Sequence, residues 1–549
     1  MILKLRKMRK HFKYGFMGLT ALVAVACNDY LDVNENVNAP SANSINAAQM
    51  LAGVQTSAFE IQSINMNQLG NVYMGAWASN VLAFTGGYAN EYQLNVDSNF
   101  QGGIWNSLYR NIGQFQNVIN KAKNDKTFET HGAIAQILKT HYMQYIVDLY
   151  GDAPYSDAFK GQDQIFGKYD DDKQIYRNLI IELDNAISKL EHPHGSASLV
   201  TGKEDVMLGG DKISWVKLAN TIKLRLLVRQ SKLAEKDAET NTYLQAEIGK
   251  LVGKNFVDFN VKVNPGYNSS TDDQQNPFYN TYGYDTNGGN NYSFNRASRQ
   301  LADHLMGVST ITGTSDANTG VKDPRRTYIY RAPSGNIASN IQGGTVGVNL
   351  EIPQVYDSGT EKFVSGASRM SAFLIPNNVG TGLTNIAQDK LDAGSSQNGY
   401  LMLKAEADFL LAEAALIFPG KFGDAQTHFN NGITSSFNFY GISSQASEYI
   451  AATDSKNGFG WTGSADKFYA ICTQRWIALT NIHAIETFIN YNKYGYPKVP
   501  LARGAVKPNR PYRLHYPASE YAANSTNVPK LTQDDIFNKG TKSPFWLNF

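Results

Sequence analysis

Residues 401–442, LMLKAEADFLLAEAALIFPGKFGDAQTHFNNGITSSFNFYGI, constrain the fold of this chain more than any other stretch. Apolar or small residues at Leu403, Ala407, Leu410, Leu411, Ala414 and Ile417 recur at the three- and four-residue spacing of one helical face. Pro419 and Gly420 cannot continue that helix. After Asp424, a residue type suited to an N-cap, the pattern restarts with Ala425, Phe429, Ile433 and Phe437. Two helices joined by so short a break fold back antiparallel. The small side chains of Ala412, Ala414 and Ala415 allow the partner helix to come close.

The same periodicity recurs towards the amino-terminal end. It predicts helices over Asn46 to Asn65, Ile104 to Lys123, Gly132 to Tyr150, Gln174 to Leu190 and Ile213 to Leu233, separated by turn signals such as Gly151-Asp152-Ala153-Pro154. The fold class expected is therefore mainly all-α, built from helix pairs. From Phe256 to Gly399 the pattern changes to Asn, Gly, Ser, Thr and Tyr, with short strands expected near Thr327 to Arg331 and Val346 to Tyr356. A non-repetitive region this long inside a compact domain is usually functional surface.

The amino terminus bears on location. Lys4, Arg6, Lys7, Arg9, Lys10 and Lys13 precede an apolar run from Tyr14 to Ala26, which is too short to span a bilayer as a helix and reads as a secretory signal over residues 1–26. The small residues Ala24, Val25 and Ala26 before Cys27 resemble a lipobox, which would make Cys27 a lipid-modified amino terminus. Residues 27–549 then form one domain, of which 27–45 are a polar tether. Loss of the signal removes six basic residues and no acidic one, so the net charge moves from +2 to about −4, which argues against a nucleic-acid partner.

Taken together, several motifs resemble the SusD/RagB family of outer-membrane nutrient-binding lipoproteins, in particular its second, SusD-like branch. They are Tyr30-Leu31-Asp32-Val33-Asn34, Tyr150 to Ser156, Asp323-Pro324-Arg325, Ala405 to Ala414, Gln474 to Leu479, Gly495-Tyr496-Pro497 and Arg513 to Pro517 with Glu520 and Asn524. Ala425, Phe429 and Gly432 also resemble the second helix of a tetratricopeptide repeat. Two places depart from the family pattern: Asn492-Lys493-Tyr494 stands where paired arginines are frequent, and Trp546 is followed by Leu547 rather than a second aromatic residue. The resemblance implies tetratricopeptide-like helix pairs with long loop-rich insertions. It further implies an outer-membrane, lipid-anchored protein that binds an oligosaccharide or peptide and serves a SusC-like TonB-dependent transporter. No cofactor and no metal are expected.

Ligand contacts are expected from aromatic and amide side chains in loops, since flat rings with polar tips suit sugars and peptides. Two stretches qualify. One supplies Trp77, Asn80, Tyr88 and Tyr92; the other supplies Tyr284, Asn290, Asn291 and Tyr292. A hydrolase is the alternative, resting on Glu406 and Glu413. Seven helical residues place their backbones about 10.5 Å apart, beyond the roughly 5 to 9.5 Å between the carboxyl groups of glycosidase pairs. Both glutamates sit among Ala and Leu, where Arg475 or Arg513 is the expected partner. Ser214 and Lys217 fit SxxK without its companion motifs, and Cys472 reads as a small core residue. A scaffold that binds only protein through its helix pairs is the third reading.

Overall fold

The computed structural model describes residues 45–79, 88–160, 164, 166–289, 291, 295–309, 315–331, 354–357, 362–365, 368–371, 373–376, 386–502 and 505–549. Cys27 and the tether up to residue 44 lie outside the described residues. Its helices include α1 (Ala47–Ile61), α2 (Asn67–Tyr73), α3 (Gly102–Asn124), α4 (Glu129–Tyr150), α5 (Asp172–Glu191), α6 (Lys212–Arg229), α7 (Ala238–Leu251), α8 (Lys404–Ile417), α9 (Ala425–Phe439), α10 (Lys467–Leu479) and α11 (Ala484–Tyr494). Consecutive helices pack as pairs: α3 on α4, α4 on α5, α5 on α6, α8 on α9 and α10 on α11. One hydrophobic cluster runs from Ala47 to Leu547. Among the described residues, no helix is long and apolar enough to cross a membrane.

Local chemistry explains the boundaries. Asn46 and Gln49 form a reciprocal capping box that starts α1, and a single π-helical turn over Gln62–Met66 carries the chain on into α2. Asp424 caps α9 as its position suggests, accepting from the Thr427 amide. In contrast, Leu401 and Met402 belong to a strand, because Gly399–Met402 pairs antiparallel with Val261–Val263. Helix α8 therefore begins only at Lys404, whose amide donates to Asn260 Oδ1 at 2.9 Å. The α8–α9 pair is closed by Gly432, where an added Cβ would meet the Phe409 ring at 2.6 Å. Helix α4 is buried on every face from Thr130 to Tyr150 and is the central helix of the bundle.

Charges are buried where these helices meet. Arg225 on α6 binds Glu406 on α8 at 3.1 Å and lies 3.4 Å from Glu486 on α11. Arg229, one turn on, binds Glu486 at 2.8 Å and approaches Asp148 on α4 at 3.6 Å. Glu413 is held by Arg475 at 2.7 Å, Lys493 at 2.9 Å and the Tyr494 hydroxyl at 2.7 Å. His483 Nδ1 meets Glu406 at 2.8 Å, and the Trp546 indole donates to Asp148 at 2.9 Å. Arg475 is thus the expected partner of Glu413. Arg513 is not, because its guanidinium donates to the Leu514 and Lys542 carbonyls instead. The departure at Asn492-Lys493-Tyr494 is also accounted for, since Lys493 and Tyr494 share one oxygen of Glu413.

Two predictions follow from this packing. Breaking a buried pair leaves the other charge desolvated, so Glu486→Gln, which strips Arg225 and Arg229 of a shared carboxylate, should lower stability by about 3–5 kcal/mol in urea unfolding. The second concerns acid. Burial by itself would raise the Glu413 carboxyl, but Lys493 and Arg475 outweigh it and hold the group at about 2 against an ordinary 4.5. Its folded value lies below its unfolded one, so this stabilisation is complete above pH 4.5 and fades as pH falls towards 2. The urea midpoint should decline through that window.

Candidate ligand-binding face

A small antiparallel sheet gathers the irregular middle of the chain. Its four strands are β1 (Trp77–Ser79), β3 (Asn295–Ala297), β4 (Tyr330–Arg331) and β5 (Arg369–Met370), in the order β1-β3-β5-β4, while β2 (Val261–Val263) pairs outside it with Gly399–Met402. Ser79 pairs with Asn295, so the two expected stretches leave and enter the sheet at one end: Asn80 follows Ser79 directly, and Tyr292 stands three residues before Asn295. Asn80, Asn290 and Tyr292 themselves lie outside the described residues.

The other expected contacts divide into core and surface. Trp77 is 0 % exposed; its indole donates to Asn481 Oδ1 at 2.7 Å, and its ring meets Tyr282 edge-on at 4.9 Å. The Tyr92 ring is buried with its hydroxyl on the Trp77 carbonyl at 3.3 Å. Tyr284 is buried too, near Tyr279. Burial of these three rings has a common cause: each fills space between the sheet or its loops and the helices beneath. As placed here, they offer no face to a ligand. Tyr88 is different. It is half-buried, takes a left-handed backbone with φ of 53° at the start of a short helix, and hydrogen-bonds Asn295 Oδ1. A non-glycine residue in that region is strained, and such strain clusters at binding sites. Asn291 is half-buried, its amide side chain donating to the Asn280 carbonyl at 3.1 Å.

A groove of about 220 Å³ opens beside this loop. One wall is α1 and the π turn, through Thr56, Glu60 and Ile64; the other is the segment carrying Tyr267, Asp272, Asp273, Gln275, Asn280 and Thr281. Asp272 ties the two loops together by accepting from the Thr286 amide at 2.8 Å and hydroxyl at 2.7 Å. Those bonds hold its carboxyl below the ordinary range. The turn that follows needs Gly289, where a Cβ would strike Asp285 Oδ2 at 2.1 Å. Inserted π turns recur at functional sites, and here the turn is fixed by the Tyr282 hydroxyl on the Ile64 carbonyl at 3.2 Å. Nothing local in the sequence indicates that Glu60 faces this segment.

Elsewhere the candidate chemistry is occupied by structure. The cavity between Glu406 and Glu413 is about 20 Å³, room for a water and not for a sugar ring. Asp211 caps α6 and accepts the Ser214 hydroxyl, while Lys217 pairs with Asp258, so Ser214 and Lys217 do not act on each other. Burial pushes the Cys472 thiol up to about 12. Asp152, Asp171 and Asp172 approach one another, but Asp171 caps α5 and Asp172 accepts the Phe545 amide.

Helix pairs carrying a loop-built face of rings, amides and carboxylates define a helical scaffold with an irregular polar face. A family model for SusD-like proteins, described as "Starch-binding associating with outer membrane", matches residues 38–517; the chain belongs to that family. Its fold is also that of solved SusD homologues. A chitin-binding homologue from Flavobacterium johnsoniae is 22% identical with a TM-score of 0.65, covering 91% of this chain and 97% of that one. A homologue from Bacteroides uniformis is 21% identical with a TM-score of 0.63, covering 91% and 98%. One from Parabacteroides distasonis is 20% identical with a TM-score of 0.65, covering 91% and 97%. No curated protein matches the sequence.

The position of Trp77 gives a prediction about stability. Truncating a fully buried tryptophan leaves a large cavity, and here it also orphans Asn481 Oδ1. Trp77→Ala should cost about 3–5 kcal/mol in chemical denaturation, whereas a ring held mainly for ligand would leave stability nearly unchanged.

Proposed function

We propose that this chain is a lipid-anchored protein of the outer cell surface that binds an oligomeric glycan and passes it to a SusC-like TonB-dependent transporter. The observation that carries this reading is the family match across residues 38–517. The basic, then apolar, start ending at Cys27 supports export and anchoring at that cysteine. The chitin-binding relative from Flavobacterium johnsoniae supports a glycan over a peptide as the ligand.

The site chemistry supports a non-catalytic role. Glu406 and Glu413 are consumed by Arg225, His483, Arg475 and Lys493. The face around Tyr88 and Asn291 carries hydrogen-bonding amides and a ring, which suits recognition. Asn80, Asn290 and Tyr292 belong to the same proposed face by their places in the chain.

Affinity electrophoresis and calorimetry of the purified protein against glycan fragments and peptides test this reading. At least one glycan should bind, and Tyr88→Ala should weaken it about tenfold, the scale of one aromatic contact, with thermal unfolding as the control for folding. Failure of every glycan, together with a native complex lacking an outer-membrane barrel, would overturn it.

A further inference from the structure

Residues 540–549 close on the bundle beside the start of α5. Within them Phe545, Trp546 and Leu547 form a buried 3-10 turn. The Phe545 ring meets Tyr176 edge-on at 5.2 Å, the Trp546 indole donates to Asp148, and the Arg229 guanidinium lies 5.7 Å from the Trp546 ring. The segment therefore lies against the buried charge set. Its backbone is fastened to α5 by the Phe545 amide, which donates to Asp172 Oδ2 at 2.7 Å.

That carboxylate is crowded by others of its own sign. Asp172 is 6 % exposed, and oxygens of Asp152, Asp171 and Asp172 all lie within 4.8 Å of one another. Asp152 comes from the turn after α4, and its Oδ1 accepts the Asp172 amide at 3.1 Å. Asp171 is the N-cap of α5 and accepts the Gln174 amide at 2.9 Å. Backbone bonds thus hold the three together. Among the described residues none of the three forms an ion pair. The nearby cations are engaged elsewhere: Lys173 pairs with Asp237 and Glu239, and Arg513 donates to the Leu514 and Lys542 carbonyls. Arg513 and Lys542 oppose the effect of burial at Asp152 without reversing it.

Carboxylates packed this closely cannot all ionise without mutual repulsion, so they take up protons as a unit. Burial first and Asp152 second push the Asp172 carboxyl up to about 7 from an ordinary 3.8. A proton on Asp172 removes the repulsion and still leaves an oxygen to accept the Phe545 amide. We infer that Asp152, Asp171 and Asp172 form a proton-operated latch, which holds residues 540–549 closed on α5 while the cluster carries a proton and loosens them when all three carboxylates are ionised. By linkage, the closed form binds the proton more tightly than an open form in which Asp172 meets water. The contribution of Asp172 to closure is therefore full below pH 3.8 and is lost as pH rises through about 7. Glu413 acts in the opposite sense and below pH 4.5, so the two effects separate on the pH axis.

Hydrogen exchange on the purified protein in buffer with EDTA tests this, read by mass spectrometry on the peptide carrying Phe545 to Phe549 and corrected for the intrinsic pH dependence of exchange. Between about pH 5.5 and about pH 8.5, protection of that peptide should fall about tenfold, while a peptide from α8 keeps its protection. Asp172→Asn keeps an acceptor for the Phe545 amide without the charge, and should leave the segment protected at both pH values. Asp152→Asn should shrink the fall, because it takes away the repulsion that raises Asp172. Equal protection at the two pH values, the same fall in Asp172→Asn, or an equal fall in the α8 peptide would overturn the latch. Calcium that restores protection at the higher pH in the unsubstituted protein and not in Asp172→Asn would overturn it in favour of a cation site.

Discussion

The fold depends on a buried set of charges that is balanced where five helices meet. Arg225, Arg229, Arg475 and Lys493 face Asp148, Glu406, Glu413 and Glu486, all of them buried. Arg229 and Glu486 are 257 positions apart in the chain and 2.8 Å apart in space. Such pairs contribute little net stability compared with well-packed apolar residues, because desolvation offsets the attraction. What they do is punish every other arrangement: a helix rotated or shifted by one turn would leave a bare charge in the interior. The α4, α6, α8, α10 and α11 packing is therefore specified by charge as well as by shape. A second tie of the same kind joins the middle of the chain to this core, where Arg325 chelates Asp323 and reaches Gln474 at 2.8 Å and Ser436 at 3.0 Å.

These buried charges are spent on one another and offer no chemistry to solvent. The sheet of β1, β3, β5 and β4 and the loops at its end are held from below by rings such as Trp77 and Tyr282, whose polar atoms bond to Asn481 and to the π turn. Rigid rings beneath and polar groups above make a face that is held in place, and a preformed surface limits the ordering cost of any binding.

Much of the scaffold was legible in sequence because its signals are local. The apolar spacing of Leu403 to Ile417, the Pro419-Gly420 break and the Asp424 cap each act within a few residues, and the structure has α8 and α9 where they point. The motifs Asp323-Pro324-Arg325 and Gln474 to Leu479 were legible for a related reason: they contain the buried polar groups that tie distant segments, and such groups tolerate little change. The ligand face was harder. Trp77, Tyr92 and Tyr284 have the composition of contact residues, but an aromatic side chain in a loop reads the same whether it turns up to ligand or down to core. Glu60 sits on the outer side of an ordinary amphipathic helix, and only tertiary packing between segments far apart in the chain brings it opposite Tyr267.

The two sets of carboxylates then differ by one physical criterion. Glu413 is buried and still held at about 2, since Lys493 and Arg475 stand against it. Its charge is cancelled within 3 Å, so little of its field reaches solvent. Glu60 and Asp273 lie at the surface with no such cation among the described residues, and their field extends over roughly a Debye length, about 8–10 Å at moderate salt. The field outside the molecule is therefore set by surface carboxylates such as these and not by the core, although the core holds more charges.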